Sequence, residues 1–377
     1  MANMEAYLSK HLHTRAASRG IPVSATFELT PRCNFACKMC YVHLSEKEQK
    51  SRGKELTKEE WLQIAREARE AGVMFLLLTG GEPFFRSDFL EIYRELTKMG
   101  FLISINSNGS LIKGEILEEL RKNPPMRINI TLYGGSNATY ARLCGAPMFE
   151  QVLDNVERLK EAGISVRLNV SLTPYNCMDV ERIFEIAEEK KLLVRYSSYM
   201  NPPVRVDETA VGTEMHRFSP EQAAEYTVKM EELYYPKEIF CKRAQGIITG
   251  IRPEENEECQ GTVGEKMMCR AGRSSLWITW DGRMLPCGMF SNQGVSIRQH
   301  GFGTAWEITK RETAEVRMPA ACLNCNKKSV CSVCAAMCQS ETGEFHKKPE
   351  YICRMTKSLI DHYQNAYSML EGDENEN

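Results

Sequence analysis

The chain has 377 residues, with 48 basic against 50 acidic side chains and a formal net charge of −2. That balance leaves no electrostatic footprint for nucleic acid or for an anionic membrane surface. No apolar run reaches the length of a membrane span and the N-terminus lacks the apolar stretch of a signal peptide, so a cytoplasmic protein with two main domains is predicted.

Residues 1–20 read as a polar helix or arm, and residues 23–29 alternate toward a strand. Thr57 and Glu60 have capping-box spacing, which starts a helix that Gly72 closes. Strand and helix then repeat: strands over 73–78, 101–106, 126–132, 165–171 and 192–199, and helices over 87–99, 113–121, 149–162, 178–190 and 220–233. The strands are almost continuously apolar, as in a parallel sheet covered on its outer face. Six such units fall short of a closed eightfold barrel. The predicted fold is an α/β partial (β/α)6 TIM-like barrel, open on one side for a large substrate. From about Tyr235 the helical period gives way to Gly, Cys and short turns, and the last seven residues, 371–377, read as an acidic, disordered tail. The predicted division is an arm (1–21), the barrel (22–235), a cysteine-rich domain (236–360) and a helix end with the tail (361–377).

Fifteen cysteines in a cytoplasmic chain point to metal binding or redox work rather than disulfides. Nine of them fall between Cys259 and Cys353, and Cys33, Cys37 and Cys40 form a C-x3-C-x2-C triplet. Three thiolates can hold three corners of a [4Fe–4S] cube and leave the fourth iron open. The alternative is a closed zinc site, with His43 as fourth ligand. Thr79-Gly80-Gly81-Glu82-Pro83 follows the second strand and Asn106-Ser107-Asn108-Gly109 the third. Strand C-termini are where parallel α/β folds gather their chemistry.

The triplet, the Gly-Gly-Glu-Pro turn and the Asn-Gly turn, in this order over residues 22–235, resemble the radical S-adenosylmethionine (SAM) superfamily. The resemblance implies that SAM chelates the open iron through its amino and carboxylate groups. One electron from the cluster then cleaves SAM to methionine and a 5′-deoxyadenosyl radical. By the same resemblance Gly80, Gly81 and Glu82 meet the SAM amino group. Asn106 and Asn108 line its ribose or methionine part, Thr131 ends the fourth strand beside it, Arg142 pairs with its carboxylate and Asn169 faces its adenosine. Met39 stands where the superfamily often has an aromatic residue, and a large apolar side chain fills the same space.

The later cysteines run Cys269-x12-Gly282-x4-Cys287, then Cys322-x2-Cys325-x5-Cys331-x2-Cys334-x3-Cys338, then Cys353. This resembles the SPASM domain, which holds two auxiliary [4Fe–4S] clusters. The resemblance implies that Cys269 and Cys287 hold the first with Cys259 and one of Cys334 or Cys338. Cys322, Cys325, Cys331 and Cys353 then hold the second. The extra cysteine between Cys331 and Cys338 departs from the family pattern. On local spacing alone these cysteines fit a pair of zinc sites equally well.

SPASM-bearing enzymes mostly modify ribosomal peptides or proteins, so the expected reaction is hydrogen abstraction from such a substrate, giving a crosslink, an oxidation or an epimerisation. A small metabolite or cofactor precursor is the alternative. The partners implied are a peptide or protein substrate, an electron donor such as flavodoxin or ferredoxin, and a separate leader-peptide-binding protein, since too few residues precede Cys33 for a recognition domain. Sulfatase-maturating relatives carry an acidic residue directly after the cysteine matching Cys287; here it is Gly288, which argues against formylglycine formation. Cys144 and Cys177 fall on the catalytic side of the predicted barrel as candidate hydrogen donors. The alternative for each is a small buried hydrophobe, and Cys241 reads as structural.

Overall fold

A computed structural model of the chain describes residues 2–42, 44–202, 217–250, 266–267, 269–290 and 294–375. The chain divides into two compact units. The first comprises residues 1–131, 148–168 and 270–315; the second comprises 132–147, 169–269 and 316–377.

The strands are β1 (Ser24–Glu28), β2 (Phe75–Thr79), β3 (Leu102–Ser107), β4 (Arg127–Thr131), β5 (Val166–Ser171), β6 (Leu193–Ser197), β7 (Ser275–Ile278), β8 (Arg283–Leu285) and β9 (Val295–Ser296). Their order in the sheet is β6-β5-β4-β3-β2-β1-β7-β8-β9. The six strands read from the sequence therefore lie in chain order, as an α/β barrel wall requires. The cysteine-rich segment adds three more that the sequence reading missed. β7 pairs parallel with β1, Ser24 opposite Ser275, and β8 and β9 follow antiparallel. A four-residue strand whose partner lies some 250 residues away leaves no local signal.

The helices are α1 (Ala2–Arg19), α2 (Glu46–Arg52), α3 (Lys58–Glu70), α4 (Phe89–Lys98), α5 (Glu115–Lys122), α6 (Asn137–Cys144), α7 (Phe149–Glu161), α8 (Val180–Glu189), α9 (Pro220–Tyr234), α10 (Lys237–Ile248), α11 (Ile297–Ala314), α12 (Ala320–Leu323), α13 (Ala335–Thr342) and α14 (Glu350–Asn375). Thr57 caps α3 as expected: its hydroxyl accepts from Glu60 N while the Glu60 carboxylate accepts from Thr57 N. α2 starts with the same reciprocal pair, Ser45 and Glu48, and α6 starts at Ser136 and ends on Gly145 in the left-handed region. Beyond Tyr235 the expectation of short turns needs correction, since α10, α11 and α14 are long helices, and α14 runs to Asn375 through most of the expected tail. Among the described residues no helix is long and apolar enough to cross a membrane.

Alternation on the strands sets the two sheet faces. β3 buries Ile103, Ile105 and Ser107 on one face and turns Ser104 and Asn106 to the other; β4 buries Ile128 and Ile130, so Arg127, Asn129 and Thr131 share the face of Asn106. In the first unit the covered face packs on α3, with the Phe27 and Trp61 rings 4.9 Å apart, while Phe89 of α4 meets Phe84 of the turn after β2 and Tyr93 of its own helix. In the second unit Arg217 and Glu341 form a buried ion pair at 2.6 Å, the Tyr199 hydroxyl donates to Glu341, and the guanidinium lies 4.1 Å above the Tyr351 ring. That node ties the end of β6 to α13 and α14.

Candidate active site

The Cys33 loop follows β1 after Glu28 and is closed by Leu44 N donating to Pro31 O at 3.3 Å. Cys33, Cys37 and Cys40 are half-buried, and Cys37 and Cys40 lie near enough to Cys33 to act on its thiol electrostatically. Cys33 Sγ accepts from Phe35 N at 3.3 Å and from Asn108 Nδ2 at 3.6 Å. Burial, above all, pushes the Cys33 thiol up to about 12, with Glu82, Cys37 and Cys40 adding to the shift. A bare thiolate is thus unfavourable there, and a bound cationic centre is what would hold it deprotonated. Three thiols match in number the protein corners of a [4Fe–4S] cluster with one open iron; among the described residues no three ligating side chains are already gathered at metal-holding geometry.

The Gly-Gly-Glu turn grips this loop through its backbone. Gly81 N donates to Thr30 O at 2.7 Å and Glu82 N to Arg32 O at 2.9 Å. A Cβ on Gly80 would stand 2.5 Å from Thr30 O, and one on Gly81 2.3 Å from Arg32 O. The two glycines, expected at the SAM amino group, are therefore required by close packing on the cysteine loop in any case.

Glu82 is fully buried. Its carboxylate accepts from Phe84 N at 3.2 Å, Ser107 Oγ at 2.9 Å and Asn108 N at 2.7 Å. Burial pushes the carboxyl up to about 7 while these donors pull the other way. Glu82 thus locks the Gly-Gly-Glu turn to the Asn-Gly turn. Asn108 in turn reaches Asn34 Oδ1 at 2.9 Å, linking the third motif to the first. Asn155 and Gln151 of α7 donate to the carbonyls of Gly109 and Ser110 and brace the same turn, a contact the sequence did not show.

Asn106 is half-buried on β3, and its Oδ1 accepts from Asn129 Nδ2 at 2.8 Å. Asn129, which the sequence reading did not single out, is 5% exposed and its Oδ1 has no partner. An orphaned buried acceptor beside a predicted ligand-binding residue fits a bound polar molecule. The apolar residues Ile128 and Ile130 on either side were the signal that could have found it. Thr131, the last residue of β4, is half-buried on the same face.

The remaining candidates lie in the second unit. Asn169 on β5 also has a buried Oδ1 without a partner. Arg142 on α6 is exposed and donates to Tyr175 O at 3.1 and 2.7 Å, so its guanidinium also clamps the loop after β5. Cys144 is fully buried at the end of α6, the setting of a small core residue. Cys177 follows β5 on a short 3-10 turn and is half-buried, and its hydrogen bond to Tyr226 pushes that phenol up to about 12.

Cys322, Cys331, Cys334, Cys338 and Cys353 also lie near one another: burial raises the Cys338 thiol, and the other four add to the shift. Cys353 is pushed up to about 11, chiefly by burial, and the Lys348 ammonium opposes the shift. Cys331 Sγ accepts from Thr356 Oγ1 at 3.4 Å, and Cys325, beside Cys322, is exposed. Both Cys334 and Cys338 therefore belong to this neighbourhood. Cys287 lies in the first unit, accepting from Met289 N at 3.4 Å, and Cys269 in the second. Cys259 and His43 lie outside the described residues.

Residues 27–188 match the family model of the radical SAM superfamily. The chain is 26% identical over 345 residues to an AdoMet-dependent heme synthase of Methanosarcina barkeri, covering 89% of this chain and 97% of that protein. It is 24% identical over 377 residues to the Fe-coproporphyrin III synthase of the same organism, covering 90% and 89%. The fold is similar to that of anSMEcpe, solved with bound AdoMet and the Cp18Cys peptide, at a TM-score of 0.68 and 16% identity over 93% of this chain and 99% of that one. Identity that low carries the fold and not the substrate. The expected peptide or protein substrate is therefore corrected: the relatives that match along nearly the whole chain are named for tetrapyrrole synthesis. The superfamily binds SAM and a [4Fe–4S] cluster and needs an electron donor. Residues 27–188 thus form a radical SAM domain, and the fold of the chain is similar to that of anSMEcpe.

Proposed function

We propose that the chain is a SAM-dependent enzyme acting on a small cofactor precursor of the tetrapyrrole class. The observation that carries this is the likeness to the heme synthase, which spans 97% of that protein and 89% of this chain and so extends well beyond the barrel motifs. Gly288 adds support from within the fold. A Cβ there would lie 2.8 Å from the Trp277 ring, so the indole leaves no room for the acidic side chain that formylglycine formation uses.

In this reading Cys33, Cys37 and Cys40 hold the SAM-binding cluster. When bound, the cluster supplies the electron that cleaves SAM. Glu82 and Asn108 keep the three motif turns in register around the Cys33 loop. In the first unit Asn106 with Asn129, and Thr131, offers carbonyl acceptors and polar edges to the hydroxyl and amino groups of SAM or substrate; in the second unit Asn169 offers a carbonyl acceptor of its own. Arg142 also offers a guanidinium to a carboxylate. Cys322, Cys325, Cys331, Cys334, Cys338 and Cys353 supply the thiolates for auxiliary iron. Cys287 in the first unit and Cys269 in the second are each further candidate thiolates for iron.

The test is 5′-deoxyadenosine formation by anaerobically reconstituted enzyme with SAM and dithionite, with and without an iron porphyrin such as Fe-coproporphyrin III. Turnover that rises with the porphyrin and changes its absorption spectrum is expected. Unchanged deoxyadenosine and an unaltered spectrum would overturn the tetrapyrrole reading.

A further inference from the structure

A cleft of about 540 Å³ opens beside Cys33 in the first unit, lined by Arg32, Cys33, Ser45, Gln49, Lys50 and Phe85 among others. Its walls come from the cysteine loop, α2 and the turn after Glu82, rather than from Asn106, Asn129 and Thr131 on the strands. The chain around it is basic. Residues 31–54 carry Arg32, Lys38, Lys47, Lys50, Arg52 and Lys54 against Glu46 and Glu48, a local charge of +4 in a chain whose total is −2. Lys38, Lys47, Lys50, Arg52 and Lys54 are all exposed. Two neighbouring acids are engaged locally: Glu48 caps α2 and Glu55 pairs with Arg32 at 2.9 Å. Phe85, 45% exposed, puts an aromatic face at the same opening. A cationic rim with a small apolar contact is the recognition chemistry of weak, electrostatically steered redox encounters.

We infer that this cleft is where a small acidic one-electron donor protein docks. The donor is oxidised by one electron, the cluster on Cys33, Cys37 and Cys40 is reduced by one, and no bond or proton moves. The inference rests on the radical SAM reading of those thiols, and it adds a location and a partner charge to it. Electron transfer favours a short path, and this cleft reaches a cluster-binding sulfur without crossing the strand ends that carry the SAM reading.

Binding of oxidised flavodoxin to the reconstituted enzyme, at low and high salt, tests it. The variant K47E/K50E/R52E is compared with K98E/K122E. The control places its charges in a second cleft of about 560 Å³ in the same unit, lined by Arg94, Lys98, Glu119 and Lys122. The first variant is expected to weaken binding about tenfold or more and to flatten its salt dependence. The control should bind as wild type does. With dithionite as reductant, the first variant should cleave SAM at the wild-type rate. Failure of wild type to bind at low salt, an unchanged affinity in the first variant, or an equal loss in the control would overturn the docking surface. Wild type that binds flavodoxin yet cleaves no SAM with dithionite would instead sink the radical SAM reading of the thiols.

Discussion

The two thiol neighbourhoods are built differently. Around Cys33, the chain interlocks through its own backbone: Gly81 N to Thr30 O, Glu82 N to Arg32 O, and the buried Glu82 carboxylate to Ser107 and Asn108. Around Cys338, the thiols sit on or beside three separate helices, α12, α13 and α14, with Cys325 exposed. In the first neighbourhood the turns are interlocked by the chain's own hydrogen bonds. The second depends more on what the thiols bind, because metal-binding free energy is also folding free energy where the site is not preformed.

The largest effect expected from breaking this contrast is G81A. Its Cβ would meet Arg32 O at 2.3 Å and Pro31 O at 2.8 Å, so backbone has to move. Loss of about four iron atoms per chain and of SAM cleavage should appear in iron analysis and turnover assays; a variant with full iron and full cleavage would contradict the interlock. E82A comes next. It strands the donors of Phe84, Ser107 and Asn108 in a buried site, a cost of about 2–4 kcal/mol in denaturant melts. E82Q keeps the shape but turns one amide donor toward another, so its loss should be smaller.

A chelator separates the two neighbourhoods directly. Under EDTA with a reductant, hydrogen exchange should quicken over α12 and α13 while β1 to β4 keep their protection. Equal loosening in both would remove the contrast. The smallest expected effect concerns the Arg298–Glu60 pair at 2.7 Å, which joins α11 to α3. The guanidinium holds the Glu60 carboxyl below its ordinary range, so the pair's contribution is fully present above that range and is lost as pH falls from it through the lowered value. Because both side chains are about a third exposed, that contribution is at most ~1 kcal/mol, and E60Q should flatten the acid arm of the stability curve by no more than this.

Much of the barrel was legible because its signals are local. The Thr57–Glu60 capping box and the apolar runs that stop at Thr79 and Ser107 each act within a few residues. The Ser45–Glu48 box is the same signature and was passed over, since the helix behind it is short and wholly polar. What the sequence could not show was tertiary. β7 joins β1 across the chain, Asn155 braces Gly109, and the two motif glycines are dictated by the cysteine loop's backbone. The substrate class was misread for a related reason. Cysteine spacing reports what holds the iron, and the iron site is common to enzymes with different substrates.

The central claim is that Cys33, Cys37 and Cys40 hold the cluster to which SAM binds. Electron paramagnetic resonance of the dithionite-reduced protein, recorded with and without SAM, tests it most directly. Wild type should show a reduced-cluster signal that SAM shifts. C33A/C37A/C40A should lose that SAM-sensitive signal together with about four iron atoms per chain, and keep any auxiliary signal. A SAM-shifted signal that survives in the triple variant would contradict the assignment.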